Sequence, residues 1–192
     1  IPPDSFPTEK LCQAKEIAID LETRDPHLKE LGPGYIRGDG EVVGISFAVE
    51  GYEHYFPFGH ETGFNFPKKK VIDFTKKVCA TNSDKVFHNA TYDVGWLTKE
   101  GVPVKGRIID TMVVAPLIDE NQYWYTLNAL GREYVNEGKT EADLNQAAEE
   151  WGLDPKADLW RLPSAFVGTY ATQDAALTLK LWNHFKILLE EQ

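Results

Sequence analysis

The sequence predicts an α/β fold, a mixed central sheet flanked by helices, on three observations. Strand patterns cluster in the first third of the chain, strand and helix patterns then alternate, and the last third is helical. Residues 16–23, EIAIDLET, and 42–50, VVGISFAVE, are rich in apolar and β-branched residues and read as strands. A connection holding Gly32, Pro33, Gly34, Gly38, Asp39 and Gly40 separates them, and residues 54–58 read as a third strand. Three early strands with short connections predict an antiparallel meander.

The remaining elements follow in order. Residues 68–80 carry Lys on one side and apolar residues on the other, the period of an amphipathic helix. A short strand at 85–88, a helix at 91–100 and a strand at 107–110 come next. Helical patterns then occupy 112–119, 126–136, 140–151 and a long final stretch at about 164–190. Pro116 falls inside the first of these and predicts a kink or a late start there. No internal repeat, low-complexity tract or strong linker divides the chain, so residues 1–192 read as a single domain. The chain opens on Ile1 without Met and stops at Gln192 within a helical pattern, which reads as a piece of a longer protein.

Composition excludes several classes of function. With 42% apolar residues the chain can bury a core, and no apolar run approaches the roughly 18 residues of a membrane span. No signal-peptide pattern begins the chain, so the expectation is a soluble, cytoplasmic protein without a membrane partner, and a monomer is expected. Cys12 and Cys79 are too few for a disulfide framework, lack zinc spacing and read as plain thiols. A net charge of -10 argues against broad capture of duplex nucleic acid. Between Phe66 and Arg107, however, nine Lys or Arg face four Asp or Glu, and the bland account of that basic stretch is a solvated helix face.

The chemistry begins with Asp20 and Glu22. In a strand, a spacing of two puts both carboxylates on one face, with Cβ atoms on the order of 7 Å apart. Buried together, they need a cation, a proton or a partner. Two further stretches supply carboxylates: HNATYDVGWL at 88–97 places Asp93 one turn into a helix, and YATQDAALTLKLW at 170–182 puts Tyr170 and Asp174 on one helix face. Leu177 and Leu181 share that side, so the face packs on the sheet. Converging oxygen ligands suit a hard ion such as Mg²⁺ or Mn²⁺. Each piece alone is ordinary surface chemistry; their order along the chain gives them weight.

In that order, AIDLET (18–23), NATYD (89–93) and YATQD (170–174) resemble the three motifs of the 3′→5′ proofreading exonuclease domain of family A DNA polymerases. That family lies in the DEDD exonuclease superfamily, which has a ribonuclease H-like fold, and Tyr170 places the likeness in its tyrosine branch. The stretches IIDTMVVAPLID (108–119) and LNALGREYV (127–135) extend it between the motifs.

The resemblance implies a two-metal phosphodiesterase that releases nucleoside 5′-monophosphates from a single-stranded or frayed 3′ end of DNA. A polymerase domain is then expected in the same parent chain. Asp20, Glu22 and Asp174 would bind one metal, and Asp20 with Asp93 a second. Tyr170 and Glu22 would orient the attacking water. Thr23, Asn89 and Tyr92 match positions near the terminal nucleotide, although for Tyr92 packing alone explains an aromatic equally well. The family's apolar wedge is left between His27 and Leu28. Tyr123, Trp124 and Tyr125 form a possible base platform, with core packing the favoured account, and Asp110 reads as a helix cap rather than a fifth ligand. A ribonuclease D-like RNA exonuclease and a degenerate, non-catalytic binding module are the alternatives.

Overall fold

The computed structural model describes residues 6–138 and 142–191. Among these, strands β1 (Glu16–Arg24), β2 (Glu41–Val49), β3 (Tyr52–Pro57), β4 (Asp84–Phe87) and β5 (Ile108–Asp110) form one sheet in the order β3-β2-β1-β4-β5. The first three pair antiparallel and β4 and β5 run parallel to β1, so the predicted meander and mixed sheet are both present.

The two faces of β1 separate the sheet's two cores. Ile17, Ile19 and Leu21 are buried against helices α4 (Lys68–Cys79) and α5 (Ala90–Lys99), with Phe47, Phe56, Phe74 and Trp96. Alternate residues face the long helix α9 (Ser164–Glu190), where Ala18 and Ala48 join Ala175, Leu177, Leu181 and Phe185. Each large side chain buried there contributes about 1.5 to 3 kcal/mol. Ser46 and Gly44 lie opposite Asp20 and Glu22. The small side chains of Ser46 and Ala48 on this face of β2 let α9 approach the sheet closely.

Helix α9 runs antiparallel to β1. At the beginning of β1, Glu16 accepts from Trp182 Nε1 at 2.8 Å and from Lys186 Nζ at 2.6 Å. Asp174, two turns earlier on α9, is therefore carried toward the other end of β1, where Asp20 and Glu22 stand.

Several expectations are corrected. The Gly-rich connection contains two one-turn helices, α2 (Leu28–Leu31) and α3 (Gly34–Arg37), and a short helix α1 (Thr8–Gln13) precedes the sheet. Such pieces are too short for a periodic signal. Helix α6 (Thr111–Ile118) begins at Thr111 rather than late, with Pro116 inside it. Pro116 forfeits only one hydrogen bond near the helix end, while Asp110 caps the start by accepting from Met112 N at 3.0 Å. Helix α7 (Leu127–Tyr134) ends sooner than expected, and in α8 (Ala142–Trp151) the predicted first two residues lie outside the described ones.

Tyr123 and Trp124 are 93% and 70% exposed, which overturns the core-packing account of that run; Tyr125 alone tucks in, donating to the Asp119 carbonyl at 3.1 Å. The Lys residues of α4 are exposed over a buried apolar face, the solvated-face account of the basic stretch. Cys12 and Cys79 are free thiols, and burial pushes Cys79 up to about 12, which leaves it unreactive.

Candidate active site

The carboxyl end of β1 gathers the acidic residues. Asp20, Glu22 and Asp174 each offer one ligand oxygen, all within 4.8 Å of one another, and Asp174 is buried. Three carboxylates so close repel strongly unless a cation or proton intervenes, and hard oxygen donors suit a divalent ion of the Mg²⁺ class.

Asp93 joins from α5. It is 4% exposed and accepts from the Leu21 amide, the residue between Asp20 and Glu22. Burial first, and then the neighbouring Asp20, raise its carboxyl well above the ordinary carboxylate range. It stands outside the tight group of three but beside Asp20.

The backbone turn ahead of α5 is what aims Asp93. Asn89 has a left-handed backbone, φ 72°, a conformation Asn tolerates better than most residues. The amides of Asn89 and Ala90 both donate to Asp110, at 3.0 and 2.8 Å, on separate carboxylate oxygens. Asp110 thus satisfies the start of α5 and caps α6 together, as a cap and not as a member of the acidic group. The Asn89 side chain itself makes no capping bond and is exposed.

Tyr170 stands one turn before Asp174 on α9, half-buried, and packs against the apolar cluster that includes Tyr55 and Val43. Thr23 and Tyr92, expected near the substrate, meet directly: Thr23 Oγ1 and the Tyr92 hydroxyl are 2.8 Å apart. The Tyr92 ring also packs edge-on to Tyr35 and Trp96, so packing and polar contact coexist there. Burial pushes its phenol up to about 12, so it stays a hydrogen-bond donor at neutral pH. Leu28 opens α2 at 40% exposure, and His27 precedes it.

Two residues beside the site were missed in the sequence. Tyr55 lies over Gly44, where a Cβ would fall on its ring and hydroxyl, which is why glycine occupies that position. Its phenol is raised well above the usual tyrosine range by burial, then by Glu22 and Asp20. Its hydroxyl meets His60 Nε2 at 2.6 Å, and His60 Nδ1 meets the Leu162 carbonyl at 3.1 Å. A carbonyl only accepts, so Nδ1 carries the proton and Nε2 accepts from Tyr55. Nothing local in HYFPFGH foretells a partner a hundred residues away.

The sheet order, the crossing of α9 and the acidic end of β1 define a ribonuclease H-like exonuclease fold. The chain belongs to the 3′→5′ exonuclease family of family A DNA polymerases: the family model described as 3′-5′ exonuclease matches residues 7–190. It is 38% identical over 184 residues to the DNA-directed DNA polymerase of Pseudomonas phage M6, covering 93% of this chain and 28% of that polymerase. It is 26% identical over 154 residues to DNA polymerase I of Chloroflexus aurantiacus, covering 79% of this chain and 16% of that one. The chain thus spans less than a third of the length of these two polymerases.

Among solved structures, Brucella melitensis NrnC with bound Mg²⁺ superposes with a TM-score of 0.65 at 16% identity, covering 97% of this chain and 79% of that one. The POL domain of Pol1 from M. smegmatis, in complex with DNA primer-template and dNTP, gives 0.62 at 13%, covering 95% of this chain and 25% of that one.

Proposed function

We propose that this chain is a metal-dependent 3′→5′ exonuclease domain of the tyrosine branch, acting on DNA 3′ ends and proofreading within a DNA polymerase. The observation that carries the reading is the meeting of Asp20, Glu22 and Asp174 within 4.8 Å, from two elements far apart in sequence. The 38% identity to a phage polymerase favours DNA over the ribonuclease D-like alternative. All four carboxylates and Tyr170 are in place, which counts against a degenerate binding module.

In this reading Asp20, Glu22 and Asp174 hold one divalent cation, and Asp20 and Asp93 a second. Such ions lower the pKa of bound water and offset charge on the phosphate and the leaving 3′ oxygen. The chain's part is geometry. Glu22 and Tyr170 orient the attacking water, and α9 fixes Asp174 against β1. Asp93, held by the Leu21 amide, keeps its carboxyl aimed at Asp20. Thr23, Asn89 and Tyr92 receive the terminal nucleotide, and the exposed rings of Tyr123 and Trp124 are available to stack bases, worth roughly 1 to 3 kcal/mol each.

Timed digestion of 5′-labelled oligonucleotides in Mg²⁺ tests the reading. With a net charge of -10 the surface grips few phosphates, so single-stranded DNA should be shortened distributively from its 3′ end, a mismatched terminus more slowly and a paired one slowest. Processive clearance of blunt duplex at moderate salt would contradict it.

A further inference from the structure

Asp25 follows directly on the end of β1 and belongs to none of the three motifs, yet its side chain is only 3% exposed. Three donors from three separate residues converge on its carboxylate. Oδ2 accepts from Gly34 N at 2.9 Å and from the Tyr92 hydroxyl at 3.1 Å, and Oδ1 accepts from Arg37 Nη2 at 3.2 Å. Arg37 is itself braced, donating to Asp39 at 2.8 Å and to the Gly32 carbonyl. Gly34 leaves no room for a side chain, because a Cβ there would collide first with the Asp39 backbone carbonyl and would also meet Asp25 Oδ1 at 2.9 Å.

The hydrogen-bond inventory fixes a direction. A carboxylate paired with a guanidinium only accepts, so the one proton of Tyr92 goes to Asp25. The 2.8 Å contact between Tyr92 and Thr23 then needs the Thr23 proton, and Thr23 donates inward to the Tyr92 oxygen. What remains on Thr23 Oγ1 is lone pairs. Thr23 is half-buried beside Glu22, where the chain shifts register against β2 between Glu22 and Thr23.

We propose that Asp25 is a positioning residue that, through Tyr92, turns Thr23 Oγ1 into a hydrogen-bond acceptor and so makes the terminal subsite select a strand end that carries a donor, a free 3′-hydroxyl. The inference rests on the exonuclease reading for the location of the terminal nucleotide. The connection of α2 and α3 then has a purpose beyond linking two strands: Arg37 and Gly34 hold the carboxylate that sets the hydroxyl chain.

Equilibrium binding tests it without turnover. Fluorescence anisotropy of a short 5′-fluorescein DNA strand, with Ca²⁺ replacing Mg²⁺, compares a 3′-hydroxyl end with a 3′-fluoro end, which is close in size and lacks the donor. The chain should prefer the hydroxyl end by about fivefold, the worth of one neutral hydrogen bond. Asp25→Ala, which removes the acceptor for Tyr92, and Thr23→Val should each erase that preference, their combination should erase no more, and Thr23→Ser should keep it. An equal preference in Asp25→Ala, with only the melting temperature lowered, would overturn the proposal and reduce Asp25 to a pin for the connection. No preference in the unaltered chain would overturn it as well. Absence of metal-dependent hydrolysis by the unaltered chain is a separate result and would remove the exonuclease reading instead.

Discussion

The Tyr55 hydroxyl donates to His60 Nε2 at 2.6 Å, and the opposite ring nitrogen of His60 donates to the Leu162 carbonyl at 3.1 Å. The pair ties the sheet edge nearest Glu22 to the segment that enters α9. Around it, Glu61 N donates to the Trp160 carbonyl at 2.8 Å and Ser164 Oγ to the Phe64 carbonyl at 2.6 Å. The start of α9, and with it Tyr170 and Asp174, is thereby held against β3.

Stability should therefore fall with acid through His60. Burial lowers its pKa to about 4 from 6.5, so the folded chain keeps it neutral while the unfolded chain takes up a proton. The unfolded state then binds more protons between pH 6.5 and 4, and stability is lost as pH falls through that window. At pH 5 the loss is on the order of 2 kcal/mol. Urea unfolding at pH 7.5 and pH 5 checks this: His60→Gln should lose less stability between the two than the unaltered chain, and an identical pH dependence would contradict it.

Asp110 should prove structural. Its carboxylate serves three amides, those of Asn89, Ala90 and Met112. Asp110→Ala removes the acceptor for all three and should destabilise the fold by roughly 2 to 3 kcal/mol. The stabilisation by Mn²⁺ should survive in this variant. Loss of the metal response with little loss of stability would make Asp110 a ligand.

Divalent metal should stabilise the chain, since only the folded state assembles Asp20, Glu22 and Asp174. At a hundredfold excess over Kd, linkage gives about 2.7 kcal/mol, or roughly 5 to 10 °C in melting temperature for a domain of this size. Asp174→Ala should abolish the shift, and in EDTA should melt no lower than the unaltered chain, because one of several clustered like charges is gone. An unchanged melting temperature in saturating Mn²⁺ would favour a non-catalytic module.

What the sequence revealed and what it hid divide by distance along the chain. The DxE, NxxxD and YxxxD patterns are local, and the strand or helix period sets which side chains share a face. The sheet, the long α9 and the Asp110 cap followed from equally local signals. Tyr55 with His60 and Leu162, and Asp25 with Gly34, Arg37 and Tyr92, depend on tertiary meetings that no short window contains. Tyr123 and Trp124 were misread toward the core because aromatic composition speaks for burial, while their exposure is decided by where the connection from α6 to α7 runs.

If the acidic group at the end of β1 is a divalent-metal centre for phosphodiester hydrolysis, turnover of a 5′-labelled single-stranded oligonucleotide in Mg²⁺ by the unaltered chain, Asp20→Ala, Asp174→Ala and Tyr170→Phe will show it. The unaltered chain should shorten the strand one nucleotide at a time, EDTA should stop it, and both Asp variants should be inactive while still folded. Tyr170→Phe, which loses only an orienting hydroxyl, should retain more activity than Asp174→Ala. Near-native turnover by Asp20→Ala or Asp174→Ala would contradict the assignment of the site.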